Sequence, residues 1–384
     1  MNVPWMDRTA QYLEFRSEFD AAIRRVLESG DYELGEDVFA FEKEFAEYCG
    51  RSYAVSVGSG SDAIDLSLRA WGIGPGDEVI SVANSCCSVA LAVLRSGVSL
   101  VLVDIDERTY NLDPAKVEDA ITPNTRAILA QHGHGIPCEI DTIMDIAQRR
   151  KLKVIEDGTV ALGARYKGRP IGIWGDVAIY GFGAGKMLGS FTNGAGIVVT
   201  DSQELADKVR ILAHYGQRTQ HPKDAVPRQF SQSGTVCSEL GYNSHIGSLQ
   251  AAILRVKLRH FEKWIKRRKA KAKLYANLFE GLRIILPPGL NPPNIEPVYR
   301  GYLIQVENRD QVLNRLNEQG VQARLLYLPP VHLQPAFRVL GYRLGDFPVT
   351  ERLSQRMISL PIYPEMSDAQ IKAVVDALKK VISN

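Results

Sequence analysis

Apolar residues recur at Phe15, Phe19, Ile23 and Leu27, the spacing of one helix face, and the run stops at Gly30. Phe39, Phe41, Phe45 and Tyr48 predict a second helix ending at Gly50. The pattern then changes to short, continuously apolar runs that alternate with helical ones. It predicts strands at 53–57, 78–82, 100–104, 126–130 and 153–156, separated by helices at 61–71, 86–95, 114–120 and 140–150. Val177-Ala178-Ile179-Tyr180 and Gly196-Ile197-Val198-Val199-Thr200 add two more strand-like runs. Strands apolar on both faces, regularly alternating with helices, imply an α/β fold: a mostly parallel sheet covered by helices on both sides.

Residues 216–240 are polar and irregular, with two prolines. A loop of that length usually has a task, such as covering a site or reaching a partner subunit. A long basic helix follows. Leu254, Leu258, Phe261 and Ile265 form its apolar stripe, and Lys257, Lys263, Lys266, Arg267 and Lys269 fall largely off it, which predicts a solvated face rather than a nucleic-acid surface. Past Pro287-Pro288, shorter strands (302–306, 321–326) and helices (310–319, 368–382) predict a smaller α+β unit. The expected division is a large domain over 1–245 and a small one over 246–384, entered by the long helix.

Composition narrows the setting. The chain has 384 residues, 45% of them apolar, enough for a substantial core. A net charge of +2 gives no support to a nucleic-acid or anionic-membrane role. The five cysteines, Cys49, Cys86, Cys87, Cys138 and Cys237, fit neither a disulfide framework nor a zinc site. The first residues lack a basic flank and apolar h-region, and no apolar run approaches the ~18 residues of a membrane span. A soluble cytoplasmic protein is the expectation.

The most informative residue is Lys186, in Gly181-Phe182-Gly183-Ala184-Gly185-Lys186-Met187-Leu188-Gly189 between two strand-like runs. An amine enclosed by glycine and apolar side chains is poorly solvated, and desolvation favours the neutral, nucleophilic form. Asp157 ends the strand-like run Lys153-Val154-Ile155-Glu156. A carbonyl-trapping lysine with a strand-end aspartate meets the needs of pyridoxal phosphate: an anchor for its aldehyde, and an anion for its pyridine nitrogen. Gly58-Ser59-Gly60-Ser61-Asp62-Ala63 follows a strand and opens a helix. As a dinucleotide fingerprint it is weak, because no acidic residue ends the next strand, Val79-Ile80-Ser81-Val82. As an anion cradle at a helix N-terminus it suits a phosphate. Tyr180 and Met187 occupy the positions where a Walker A loop needs Gly and Ser or Thr. His132 and His134 flank Gly133 and are expected to hydrogen-bond at a strand end rather than bind metal.

In order along the chain, Gly60-Ser61-Asp62-Ala63, Gly72-Ile73-Gly74-Pro75-Gly76-Asp77-Glu78, Val103-Asp104-Ile105-Asp106 and Val154-Ile155-Glu156-Asp157 resemble the DegT/DnrJ/EryC1/StrS family of sugar aminotransferases. The resemblance continues through Lys186, Asn193-Gly194-Ala195-Gly196, Leu240-Gly241-Tyr242-Asn243, Leu249-Gln250-Ala251-Ala252 and Ser359-Leu360-Pro361. Gly58-Ser59-Gly60, Tyr242-Asn243-Ser244 and Trp264 with Arg267-Arg268 look most similar to enzymes that aminate C3 of nucleotide-linked 3-keto-6-deoxyhexoses. The resemblance implies the aspartate aminotransferase fold (fold type I), with a seven-stranded, mostly parallel sheet in the large domain. It also implies pyridoxal 5'-phosphate as cofactor, pyridoxamine phosphate in the half-reaction, and glutamate and a keto sugar as substrates. The assembly would be a homodimer with shared active sites. Lys186 would condense with the cofactor and later carry the proton, Asp157 would pair with the ring nitrogen, and Gly60 and Ser61 would hold the phosphate. Asn243 would reach the neighbouring subunit's phosphate.

Several positions depart from the family pattern. Cys86 stands where an aromatic ring usually stacks on the pyridine, Val160 replaces a glutamine, and Gly181 a phosphate-binding serine. His245 replaces an arginine, and Arg300 and Leu326 replace histidines. These changes leave two alternatives to transamination: a different reaction at a sugar carbon, or a catalytically silent partner subunit.

Overall fold

A computed structural model describes residues 2–217, 236–287 and 294–382. The central sheet contains β1 (Tyr53–Val57), β2 (Glu78–Val82), β3 (Ser99–Val103), β4 (Thr125–Gln131) and β5 (Lys153–Asp157). After a short hairpin, β6 (Arg165–Tyr166) and β7 (Arg169–Pro170), it is completed by β8 (Val177–Gly181) and β9 (Gly196–Thr200). The order β1-β9-β8-β5-β4-β2-β3 makes seven strands, as expected. Only β9 runs against its neighbours β1 and β8, because a loop rather than a crossover helix joins it to β8.

Helices cover both faces. They are α1 (Arg8–Glu14), α2 (Arg16–Ser29), α3 (Glu36–Cys49), α4 (Gly60–Ala70), α5 (Cys87–Arg95), α6 (Pro114–Asp119), α7 (Ile140–Arg150) and α8 (Gln203–Ala213). Their ends follow local chemistry. Ser59 Oγ accepts from Asp62 N at 3.0 Å to start α4, and Gly50 at φ +69° closes α3. The anticipated helix starts at 61 and 86 shift by one residue, to Gly60 and Cys87, because Ser59 and Cys86 are the N-caps.

The long helix is α9 (Ser248–Leu278). Its first half, including Ala251, Leu254, Phe261 and Trp264, packs in the core beneath the sheet. Its second half, Ala272 and Tyr275, joins a separate cluster with β10 (Tyr302–Gln305), β11 (Met357–Leu360) and α10 (Asp368–Ile382). One helix therefore serves both packing units. Its basic face is mostly paired within the molecule, since Lys263 and Arg267 meet Glu14 and Arg259 meets Glu18. Lys257 departs from the solvated-face expectation. It is buried, donating to Gly189 O and Gln11 Oε1, because α1 and the Lys186 loop close over it.

Residues 321–326 do not form the expected strand. Val321 bridges Val3 and Arg324 bridges Ser359, so the segment is pinned at two points to different neighbours. Of the irregular stretch over 216–240, residues 218–235 lie outside the described residues, as does Pro288. No helix among the described residues is long and apolar enough to cross a membrane.

Candidate active site

The carboxyl ends of parallel strands in an open α/β sheet form its natural binding crevice. Here β1, β8 and β5 lie close together in the sheet and deliver Gly60–Ser61, the Lys186 loop and Asp157 to one end. A cavity of about 210 Å³ opens there, lined by Gly60, Ser61, Cys86, Asp157, Val160 and Lys186 among others. Six of the seven positions expected from the sequence therefore share one cleft. Asn243 does not line it. It is exposed and bridges His214 on the chain leaving α8.

Close backbone packing builds the corner of the cleft at the start of α4, the candidate phosphate corner. Gly196 pairs with Val57 on one side and Gly181 on the other. A Cβ at Gly60 would come within 3.1 Å of Gly181 Cα, and one at Gly196 within 2.4 Å of Ser59 C and O. The bare backbone lets the first turn of α4 sit directly against the sheet. The Gly60 and Ser61 amides precede the first intrahelical bond, so they are free to face an anion at the positive end of the helix. The Ser61 hydroxyl donates to Ser88 O at 3.3 Å.

At the opposite wall Asp157 is almost fully buried, with Oδ1 accepting from Thr159 N at 3.0 Å and Oδ2 bonded to no described residue. Thr159 Oγ1 in turn accepts from Gly181 N at 3.1 Å, tying the aspartate turn to the phosphate corner. A buried carboxylate with a free oxygen, facing a cleft with free amides at its far corner, fits a cationic ring that carries a phosphate. Lys186 is half-buried rather than enclosed, because its loop lies along the open mouth of the cleft.

Cys86 caps α5, and its Sγ accepts from Ser88 Oγ at 3.1 Å. Tyr327, not singled out from the sequence, also lines the cleft, with its ring 4.6 Å from that of His134. Burial pushes its phenol above the ordinary tyrosine range, with Cys86 and Asp157 adding to the shift and Arg300 opposing it. Thr159 was missed as well. Both were hidden for the same reason: each comes from an irregular segment whose direction is set by tertiary contacts.

His132 hydrogen-bonds as anticipated. Its Nε2 lies 3.0 Å from Glu156 Oε2, and its Nδ1 accepts from Cys138 N at 3.2 Å. Burial alone would raise the Glu156 carboxyl, but His132 and the Gly175 and Gly172 amides outweigh it and hold Glu156 below the usual range. This buried pair props the strand behind Asp157.

Residues 14–379 match the DegT/DnrJ/EryC1/StrS aminotransferase family. A dTDP-3-amino-3,4,6-trideoxy-alpha-D-glucose transaminase from Streptomyces venezuelae is 40% identical over 378 residues, spanning 98% of this chain and 96% of the relative. The crystal structure of S. venezuelae DesV in complex with a ketimine intermediate superposes with a TM-score of 0.91 at 40% identity, covering 99% of this chain and 98% of that one. NtdA from Bacillus subtilis, solved with bound cofactor PMP, superposes at 0.87 with 30% identity, over 100% of this chain and 86% of that one. With a fold type I sheet, a lysine loop and a matched length of this extent, the chain belongs to the DegT/DnrJ/EryC1/StrS aminotransferase family.

Proposed function

We propose that the protein is a pyridoxal phosphate-dependent aminotransferase that moves an amino group from glutamate to a nucleotide-linked 3-keto-deoxysugar in amino sugar biosynthesis. The observation that carries this reading is the single cleft joining Lys186, Asp157 and the free amides of Gly60 and Ser61, within a family match over residues 14–379. Bound there, pyridoxal phosphate supplies a carbonyl to carry the amino group and a ring to accept electron density. Gly60 and Ser61 hold its phosphate, and Asp157 keeps the ring nitrogen protonated by facing it with a carboxylate. Lys186 Nζ anchors the carbonyl end, then holds and passes the proton at the reacting carbon. Val160 and Cys86 border the ring with apolar and thiol surface, while Tyr327 narrows the mouth against water.

The working form is a cytoplasmic homodimer in which Asn243 of each subunit serves its neighbour's phosphate. Its exposure outside its own cleft supports this assignment.

The purified protein with pyridoxal phosphate should gain the absorbance of lysine-bound cofactor, glutamate should bleach it, and Lys186→Ala should never develop it. Turnover in Lys186→Ala should fall by at least about 10²–10⁴-fold, the scale of a lost proton-transfer group. Bleaching that persists in Lys186→Ala would remove this assignment.

A further inference from the structure

Outside the cleft lining, two arginines lie over one indole and a third comes close to one of them, with no ion pair to a carboxylate among the described residues. The Arg300 guanidinium lies 5.8 Å and the Arg324 guanidinium 5.7 Å from the Trp5 ring centroid. Arg300 Nη2 donates to Gly185 O, directly before Lys186, and its Nε and Nη1 are buried with no hydrogen-bond partner among the described residues. Arg8 reaches the same point: a Cβ built on Gly185 would lie 3.6 Å from Arg8 Nη2 and 4.0 Å from Arg300 Nη2. Arg8 and Arg324 are exposed, Arg300 half-buried, and none of the three forms an ion pair among the described residues. Glu365 accepts from Gln11 and faces Arg268 rather than any of these three arginines. Burial lowers the Arg300 guanidinium; Tyr327 opposes this, while Arg324 and Arg8 add to it.

Gathering like charges around a half-buried guanidinium is unfavourable unless an anion completes the set. Arginine forks match phosphate oxygens two at a time, and indole faces hold the forks in place. Position selects the anion. An amino donor's α-carboxylate is one bond from the reacting carbon, so its cation would have to line the cleft, and none of these arginines does. On a 3-keto sugar the diphosphate hangs from C1, two ring bonds from the reacting carbon and then through an exocyclic oxygen, so its cations need not line the cleft itself.

We propose that Arg300 and Arg324, set over Trp5, together with Arg8 beside Gly185, form the subsite for the diphosphate of the nucleotide-linked substrate. This rests on the sugar aminotransferase reading above and adds the group that selects diphosphate-linked over free sugars.

The test uses the cofactor-loaded enzyme and its Arg300→Met and Arg324→Met variants, the second of which alters an exposed side chain. Each variant should raise KM for a dTDP-linked keto sugar by about tenfold or more, while in Arg324→Met, which leaves the Lys186 loop untouched, the rate of bleaching by glutamate stays unchanged. Calorimetry with inorganic pyrophosphate should show binding to the unaltered protein that weakens in both variants and with added salt. Slower bleaching by glutamate with an unchanged sugar KM would overturn the proposal in favour of the donor's carboxylate. Absence of pyrophosphate binding by the unaltered protein would also overturn it. That titration needs no turnover, so a failure of amino transfer itself is separable from a failure of the subsite.

Discussion

The family resemblance implies a serine hydroxyl at position 181, and the surroundings of Gly181 have room for one. A Cβ there would meet Thr159 Cγ2 at 3.4 Å and Gly60 Cα and N at 3.5 and 3.6 Å, all ordinary contacts. Gly181→Ser should therefore fold normally and add a donor beside the Gly60 amide. Cofactor loss during dialysis should slow by roughly fivefold, the scale of one net hydrogen bond of about 1 kcal/mol. Loss at the original rate or faster would show that the hydroxyl does not reach the phosphate. Lys186, Asp157, Gly60 and Ser61 were legible in the sequence because each carries its chemistry in its own residue type at a strand end or helix start. Thr159 and Tyr327 were not, since a threonine after a strand and a tyrosine among prolines acquire a role only from what faces them.

At the level of elements, the phosphate corner depends on how closely α4 approaches β9. Gly196→Ala would place a methyl 2.4 Å from the Ser59 carbonyl carbon and oxygen, both backbone atoms that cannot swing aside. The first turn of α4 must then shift. We expect about 1–3 kcal/mol lost from the denaturant unfolding free energy, with a parallel loss of cofactor affinity. Unchanged values would show that the helix start is not held by this contact.

The turn after β4 makes stability sensitive to pH. His134 is buried at φ +59°, its Nε2 accepts from Asn84 Nδ2 at 3.2 Å, and burial pushes its pKa down to about 3. A histidine whose folded pKa is depressed contributes fully above the unfolded value of about 6.5. As pH falls from there toward about 3, only the unfolded chain binds the proton, and stability drops by about 1.4 kcal/mol per pH unit for this residue. His214 and His245 shift in the same direction, chiefly through burial. Unfolding free energies at pH 7, 6 and 5 should decline more steeply in the unaltered protein than in His134→Asn. Equal slopes would mean that this ring is protonated in the folded state.

Across the whole molecule, the cleft of one chain leaves Asn243 unused at the surface, near the exposed side chains of Tyr215 and Leu240. If Asn243 completes a neighbour's site, Lys186→Ala and Asn243→Ala proteins, each weak alone, should partly restore amino transfer when unfolded together and refolded. The mixed dimer would hold one site with both Lys186 and a partner asparagine. No recovery, with mixed dimers present by mass, would assign Asn243 to its own chain.

The alternation of apolar runs determined the parallel sheet, and residue chemistry at the ends of those runs determined which groups can trap a carbonyl, hold a pyridinium and cradle a phosphate. Both are local properties, written in periods of two and 3.6 residues or in a single functional group. Tertiary structure alone decided that Lys257 is buried and that Arg300 and Arg324 meet over Trp5 with Arg8 close by. It also decided that Thr159 links the aspartate to the phosphate corner. Those contacts join segments more than three hundred residues apart in the case of Trp5 and Arg324, and their direction is fixed by packing around the sheet and α9 rather than by any pattern along the chain.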